Sequence, residues 1–254
     1  MIRLNTNPLR ESATILRRAG VIMGTVGLTA LYSAVMLLRA LFGRLDRRMV
    51  DKYCREWSAA LLRLVRVSLT VRGEVPDFSD GRRYIIMCTH ASHYDIPVTF
   101  VSLPGSIRML AKKELFKIPL LGQAMRAGEF PSIDRSSQAQ ARQDLRKAKE
   151  MMESGIVLWA APEGTRSPDG NLLPFKKGCF HLALDTEAVI LPVAIRGIQR
   201  VLPARTMHIN LGQLVEMRVG KPIDTVGKTK EDLAEVMTSV RSAMEELLGN
   251  GEPE

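Results

Sequence analysis

An α/β fold is what this sequence predicts: a mixed, largely parallel central sheet flanked by helices, with a separate helical segment ahead of it. Three observations predict it. Short apolar runs with strand character, Tyr84 to Cys88, Ile156 to Trp159 and Val189 to Ile195, alternate with stretches of helical period. The length of 254 residues and a hydrophobic content of 46% allow one substantial core. Ahead of the alternating pattern lies an uncharged stretch of 20 residues, Ala19 to Leu38. The chain therefore divides into an N-terminal part, 1–66, and an α/β part, 67–254.

The N-terminal stretch is just long enough to span a bilayer. Gly20, Gly24, Thr25, Gly27, Thr29 and Ser33 make it a weak spanning segment. A signal peptide does not fit, because the apolar run is long and no cleavage pattern follows it. Its flanks carry +3 on each side, so the positive-inside rule gives no orientation. Residues 39–72 carry nine basic side chains against three acids, with Leu61, Leu62, Leu64, Val65 and Val67 running through them. Such a basic, apolar stretch is drawn to anionic lipid headgroups. The expectation is a membrane-associating pair of helices on the cytoplasmic face, lying in one leaflet or crossing once. A net charge of +9 also suits nucleic acid, but with 5% aromatics and no nucleic-acid module a phospholipid membrane ranks first.

Within the α/β part, the helix after Ser137 ends near Gly155. Ile209–Leu211 and Val215–Val219 read as a hairpin-like pair late in the sheet. Thr229 caps a final helix whose Leu233, Val236, Met237, Val240, Met244, Leu247 and Leu248 trace one core-facing stripe. Three widely spaced cysteines, Cys54, Cys88 and Cys179, suit reduced thiols better than a disulfide framework. Cys179 has no adjacent base on its own helical face and reads as packing.

Chemistry concentrates in Thr89-His90-Ala91-Ser92-His93-Tyr94-Asp95-Ile96-Pro97, directly after a strand-like run. On a regular helix His90 and Asp95 would diverge by about 140°. They meet only if the chain bends, as it does where a strand gives way to a helix. A histidine oriented by a buried carboxylate can take a proton from an alcohol near neutral pH. The plainer reading is that Ser92-x-x-Asp95 is a capping box and Pro97 a first-turn proline. A third reading makes His90, His93 and Asp95 the ligands of a metal-dependent hydrolase. The remaining histidines, His181 and His208, supply no completing spacing.

Further candidates follow later apolar runs, where open α/β sheets place their ligands. Arg135 closes Gly128-Glu129-Phe130-Pro131-Ser132-Ile133-Asp134-Arg135, and Arg166 lies in Ala160-Ala161-Pro162-Glu163-Gly164-Thr165-Arg166-Ser167. A guanidinium fork grips phosphate through two parallel bonds. Either arginine could equally pair with Asp134 or Glu163. Lys112 and Lys113 are either added charge or solvated surface.

Together these segments resemble the four ordered blocks of the glycerolipid acyltransferases. The first block, His-x4-Asp with an intervening serine, matches His90, Ser92 and Asp95. The second corresponds to the segment ending Ile133-Asp134-Arg135. The third matches Pro162 to Ser167, followed by Phe175-Lys176-Lys177-Gly178, and the fourth is Leu191-Pro192-Val193. The resemblance covers residues 82–195. Thr89 stands where the family has asparagine; Ser132 and Ala161 stand where it has aromatics. These departures flank the chemical residues and bear on acyl-pocket or acceptor preference.

The resemblance implies a transferase that moves a fatty acyl chain from acyl-CoA or acyl carrier protein to the sn-2 hydroxyl of 1-acyl-glycerol-3-phosphate, giving phosphatidic acid. In that reading His90 is the general base and Asp95 orients it. Lys112, Arg135 and Arg166 hold the acceptor phosphate; Glu163, Gly164 and Thr165 shape the loop around it, with Glu163 against the glycerol portion. The acyl thioester is a co-substrate, and no metal or other cofactor is implied. The alternative acceptor is another lyso-lipid, such as a lyso-ornithine lipid.

Overall fold

The computed structural model describes residues 11–134 and 138–249. Two helices lead the chain, α1 (Ile15–Leu41) and α2 (Arg47–Leu64). Thr29 meets Trp57 (3.1 Å), Tyr32 meets Tyr53, and Arg39 meets Met49. That falling and rising order makes them an antiparallel pair. At 27 residues α1 is about 40 Å long, beyond the uncharged stretch and past all three of its glycines. One glycine has a packing reason: a methyl on Gly24 would sit 3.0 Å from Leu64, so its absence lets α2 come close. The α1 face turned away from α2 is apolar, with Ile15, Leu16, Met23, Val26, Leu31, Leu38, Leu41 and Phe42 exposed. Its mean hydropathy of 2.0 and its length make α1 apolar and long enough to cross a membrane.

Both helices are fastened to the body of the protein: α1 packs on α4 (Leu121–Ala127), with Val21 and Met36 in the core, and α2 is tied more extensively. Its apolar face, Val50, Cys54, Leu61 and Leu62, is buried and packs on α3 (Asp95–Ser102). Two polar ties reinforce the contact. Arg47 grips the Glu129 carboxylate through Nε and Nη2 at 2.6 and 2.7 Å and also bonds Ser154. Asp51 accepts from Arg108 Nη1 and Ser106 Oγ, both at 2.6 Å. Arg108 is wholly buried, caps the Gly128 carbonyl and lies 5.4 Å over the Phe130 ring.

The remaining elements are β1 (Glu11–Ser12), β2 (Ser68–Arg72), β3 (Tyr84–Cys88), β4 (Ile107–Met109), β5 (Ala111–Lys112), α4 (Leu121–Ala127), β6 (Ser132–Ile133), α5 (Gln138–Glu153), β7 (Val157–Ala160), α6 (Gly178–Asp185), β8 (Val189–Arg196), β9 (Asn210–Leu211), β10 (Leu214–Val219) and α7 (Leu233–Leu248). The main sheet runs β2-β10-β8-β3-β7-β4. The last four strands are mutually parallel, while β10 is antiparallel to β8 and parallel to β2. The mixed, largely parallel sheet expected from the sequence is therefore present.

Strand alternation builds the two cores. Tyr84, Ile86, Cys88, Val157 and Trp159 point toward the layer containing α1, α2 and α3. Ile85, Met87, Leu158 and Ala160 point toward α5, α6 and α7. With both faces covered, β3, β7 and β8 are buried throughout and read as unbroken apolar runs. Pro192 is tolerated within β8 because the ladder with β10 begins only at Val193. The expected stripe on α7 is core, with Val236, Val240 and Met244 buried. Thr229 caps a 3-10 turn that leads into it.

One expectation fails. Leu211 and Leu214 do not join two paired strands: β9 pairs with β1 instead, and β10 enters the main sheet between β2 and β8. The two residues between them are claimed elsewhere. Gly212 donates to Val65 O, and Gln213 O accepts from Ser68, so the turn serves the α2–β2 connection.

Breaking the buried tie between α2 and the sheet layer gives a direct test of this arrangement. Arg108→Ala leaves Asp51 facing a low-dielectric pocket and should lower unfolding free energy by about 3 kcal/mol in urea titrations. An unchanged midpoint would show that the Asp51–Arg108 pair does not hold α2.

Candidate active site

The carboxyl ends of β3 and β7 point the same way, and each is followed by a loop that carries candidate residues. Residues 89–94 bend between β3 and α3. Within that bend His90 Nδ1 lies 2.7 Å from Asp95 Oδ2. The same oxygen accepts the backbone N–H groups of Ala91 and Ser92 at 2.9 Å each. Those two donors fix Oδ2 as an acceptor, so the ring nitrogen facing it donates. Nδ1 therefore carries the proton, and Nε2 presents its lone pair. Asp95 is 0% exposed at the first turn of α3, where the helix dipole favours a carboxylate; His90 is 20% exposed.

The plainer reading of this stretch is half correct. Asp95 does serve backbone N–H groups, but by reaching back over the bend and not as part of a capping box. Ser92 Oγ instead donates to Leu202 O at 2.9 Å, which ties the bend to the loop after β8. Thr89 Oγ1 accepts Ile195 N–H at 3.0 Å and Thr89 N–H donates to Val193 O, so the bend is anchored to β8 as well.

The loop after β7 clamps His90 from the other side. Glu163 is 1% exposed, and its two oxygens accept His90 N–H and Leu173 N–H, each at 3.0 Å. Ser167 N–H donates to His90 O at 2.7 Å. Burial raises the Glu163 pKa, while the two backbone donors oppose that rise. Both Glu163 oxygens are engaged by backbone N–H groups, so it holds the loop in shape. Gly164 turns the chain with φ +73°, a conformation that favours glycine, and Thr165 is exposed. Trp159, which the sequence reading treated only as strand, lies edge-on to the His90 ring at 5.8 Å between centroids. Its place on β7, one strand from β3, gives no local sequence signal.

Arg166 is half-buried beside the dyad. Desolvation lowers its pKa, the Asp95 charge works against that, and Arg205 adds to it. His93 is held below the usual imidazole range, first by desolvation and then by the positive charge of Arg166. Lys112 lies on β5, exposed and 3.6 Å from Glu114. Lys113 is paired with Asp134 at 2.9 Å. Arg135 lies outside the described residues, although β5 and β6 set Lys112 beside Ile133, two positions before it. Among the described residues no three His, Cys, Asp or Glu side chains converge as metal ligands would, so His90, His93 and Asp95 do not form such a set. The three cysteines are free and buried. Burial pushes Cys179 and Cys54 up to about 12, and Cys88 also rises, which leaves none of them a ready nucleophile.

Comparison with known proteins identifies the family and the fold. A family model described as Acyltransferase matches residues 68–196. A 1-acyl-sn-glycerol-3-phosphate acyltransferase of Cocos nucifera is 31% identical over 72% of the chain and 59% of its own length. The Homo sapiens alpha enzyme of that name is 30% identical over 71% and 64%. The Saccharomyces cerevisiae enzyme is 34% identical over 65% and 55%. The chain thus spans about 55 to 64% of the length of these relatives. The crystal structure of the 1-acyl-sn-glycerophosphate (LPA) acyltransferase PlsC from Thermotoga maritima superposes with a TM-score of 0.75 at 27% identity, covering 94% of this chain and 97% of that one.

The Glu163 clamp has a testable signature. Glu163→Gln presents an amide donor to one of two backbone N–H groups and should cost about 1–3 kcal/mol of stability. Because the folded pKa of Glu163 is raised, wild-type stability falls as pH climbs above the ordinary 4.5 toward the raised value. The glutamine variant lacks that fall, so its deficit should be larger near pH 4 than at pH 7. Urea titrations showing equal deficits at both pH values would contradict the assignment.

Proposed function

The chain belongs to the Acyltransferase family, and from that premise we propose that it acylates the sn-2 hydroxyl of 1-acyl-glycerol-3-phosphate, giving phosphatidic acid. The donor is an acyl thioester, on coenzyme A or acyl carrier protein. The observation that carries this reading is the His90–Asp95 contact, whose backbone-capped oxygen directs Nε2 outward as the free base. Relatives that carry this activity by name share about a third of their aligned residues with the chain.

In the proposed step the acceptor hydroxyl gives its proton to His90 Nε2 as its oxygen attacks the thioester carbonyl. The C–S bond then breaks, and the imidazolium returns the proton to the departing thiolate, so ester and free thiol leave together. Asp95 holds the ring in the tautomer the step needs and stabilises the imidazolium. Base catalysis of this kind contributes roughly 100- to 10,000-fold. The attack is direct, without an acyl-enzyme, since the buried cysteines supply no nucleophile.

Arg166, half-buried beside the dyad, is proposed as the main grip on the acceptor phosphate. Lys112 is proposed to add charge from β5, and Arg135, which lies outside the described residues, is proposed to join it as the family resemblance implies. The exposed apolar face of α1, joined through α2 to the catalytic layer, is proposed to seat the protein in the cytoplasmic leaflet, where both acceptor and product reside. A lyso-lipid without phosphate remains the competing acceptor, and a panel of acceptors discriminates.

Activity provides the test. Protein purified in detergent, supplied with acyl-CoA and lysophosphatidate, should release thiol at a rate that His90→Ala and Asp95→Asn each reduce at least 100-fold, with melting temperatures within a few degrees of wild type. Wild-type rates in both variants would remove the dyad from the mechanism.

A further inference from the structure

A second arginine stands at the mouth of the dyad that none of the four sequence blocks contains. Arg205 is exposed in the loop after β8, which touches both the catalytic bend and the loop that carries Arg166. Ser92 Oγ donates to Leu202 O at 2.9 Å. The Gly170 backbone packs on the Gln199 amide so closely that a methyl there would lie 3.0 Å away. The loop closes on itself through Asn210 Nδ2 to Arg200 O at 2.6 Å and Thr206 Oγ1 to Pro203 O at 3.0 Å. Arg166 and Arg205 thus ride on two loops packed against each other and against the His90 bend.

The charges in this corner are unbalanced. Neither Arg166 nor Arg205 forms an ion pair among the described residues. Asp169, on the Arg166 loop, is exposed and engaged within its own turn: its oxygens accept from Ser167 Oγ, Asn171 N–H and Asn171 Nδ2. Glu163 and Asp95 are committed to backbone N–H groups and His90. Arg205 is close enough for its charge to lower the Arg166 pKa. Asp95 offsets part of the Arg166 charge, but it is already engaged by His90 and two backbone N–H groups, and the like charge of Arg205 on the adjoining loop adds a repulsion that a bound anion would relieve.

The backbone of Arg205 points the same way. Its φ is +62°, a left-handed conformation that costs a non-glycine residue on the order of 1–2 kcal/mol. Strain of this kind persists where a side chain must be held in place. Glycine would relieve that strain, so a glycine variant separates the backbone's contribution from that of the arginine side chain.

We propose that Arg205 is an anion-binding residue of the catalytic cleft, forming with Arg166 a two-guanidinium cradle for a phosphate monoester. Under the acyl-transfer reading, on which the ligand's identity rests, two sources carry that group: the headgroup of the lyso-lipid acceptor and the 3′-phosphate of a coenzyme A donor.

Calorimetric titration of the full-length protein in detergent with glycerol 3-phosphate and with adenosine 3′,5′-bisphosphate tests the cradle. Arg205→Ala should weaken at least one of them about tenfold or more, and Arg205→Lys should recover part of the loss. Arg205→Gly should weaken binding as much as alanine does while melting at or above the wild-type temperature, an outcome a purely structural residue would not give. Kinetics then identify the source. A higher KM for lysophosphatidate, absent with a phosphate-free lyso-lipid, assigns the acceptor headgroup; a higher KM for acyl-CoA, absent with acyl-3′-dephospho-CoA, assigns the donor. Should wild-type protein transfer no acyl group while Arg205→Ala still loses anion affinity, the acyl-transfer reading fails and the cradle stands. Wild-type affinity for both anions in Arg205→Ala, with both KM values unchanged, overturns it.

Discussion

One carboxylate oxygen organises the catalytic end of this molecule. Asp95 Oδ2 gathers the His90 ring and two successive backbone N–H groups at the point where β3 turns into α3. The bend and the proposed base are consequently one object: the donors that hold the loop in its turn are the ones that orient the imidazole toward Asp95. The arrangement leaves the partner oxygen Oδ1 buried without a hydrogen bond in the protein. A buried acceptor left bare costs stability, a cost typical of residues placed for function.

Around that oxygen the fold supplies rigidity in layers. Glu163 and Ser167 fasten the His90 backbone from the β7 side, and Thr89 and Ser92 fasten the same bend to β8 and the loop beyond it. The central strands beneath are buried on both faces, so the platform cannot tilt without opening two cores. On the opposite flank α2 is held by the Arg47–Glu129 and Asp51–Arg108 pairs, which pass the position of the apolar α1 face to the catalytic layer. Under the proposed acylation of a lyso-lipid, such a fixed relation would hold the base at a constant distance from the lipid surface.

Much of this was legible in the sequence, for definable reasons. Buried parallel strands write themselves as unbroken apolar runs, so β3, β7 and β8 were visible, and the five-residue spacing of His90 and Asp95 demanded the bend that is found. The stripe on α7 was equally plain. What escaped depended on partners distant in the chain. Glu163 was read as shaping its loop, but nothing near it announces that the N–H groups of His90 and Leu173 are the partners through which it does so. The β9–β10 hairpin was read from proximity in sequence, whereas Gly212 and Gln213 answer to Val65 and Ser68. Trp159 reaches His90 only through strand adjacency, and no local pattern encodes that.

The central claim is a statement about one proton, and nitrogen NMR of His90 in the resting protein reads it most directly. With ring-labelled histidine, neutral His90 should show a protonated Nδ1, its proton shifted downfield by the Asp95 contact, and an unprotonated Nε2. Asp95→Asn should release that preference. A resting His90 that carries its proton on Nε2, or a tautomer balance indifferent to Asp95→Asn, would contradict the account.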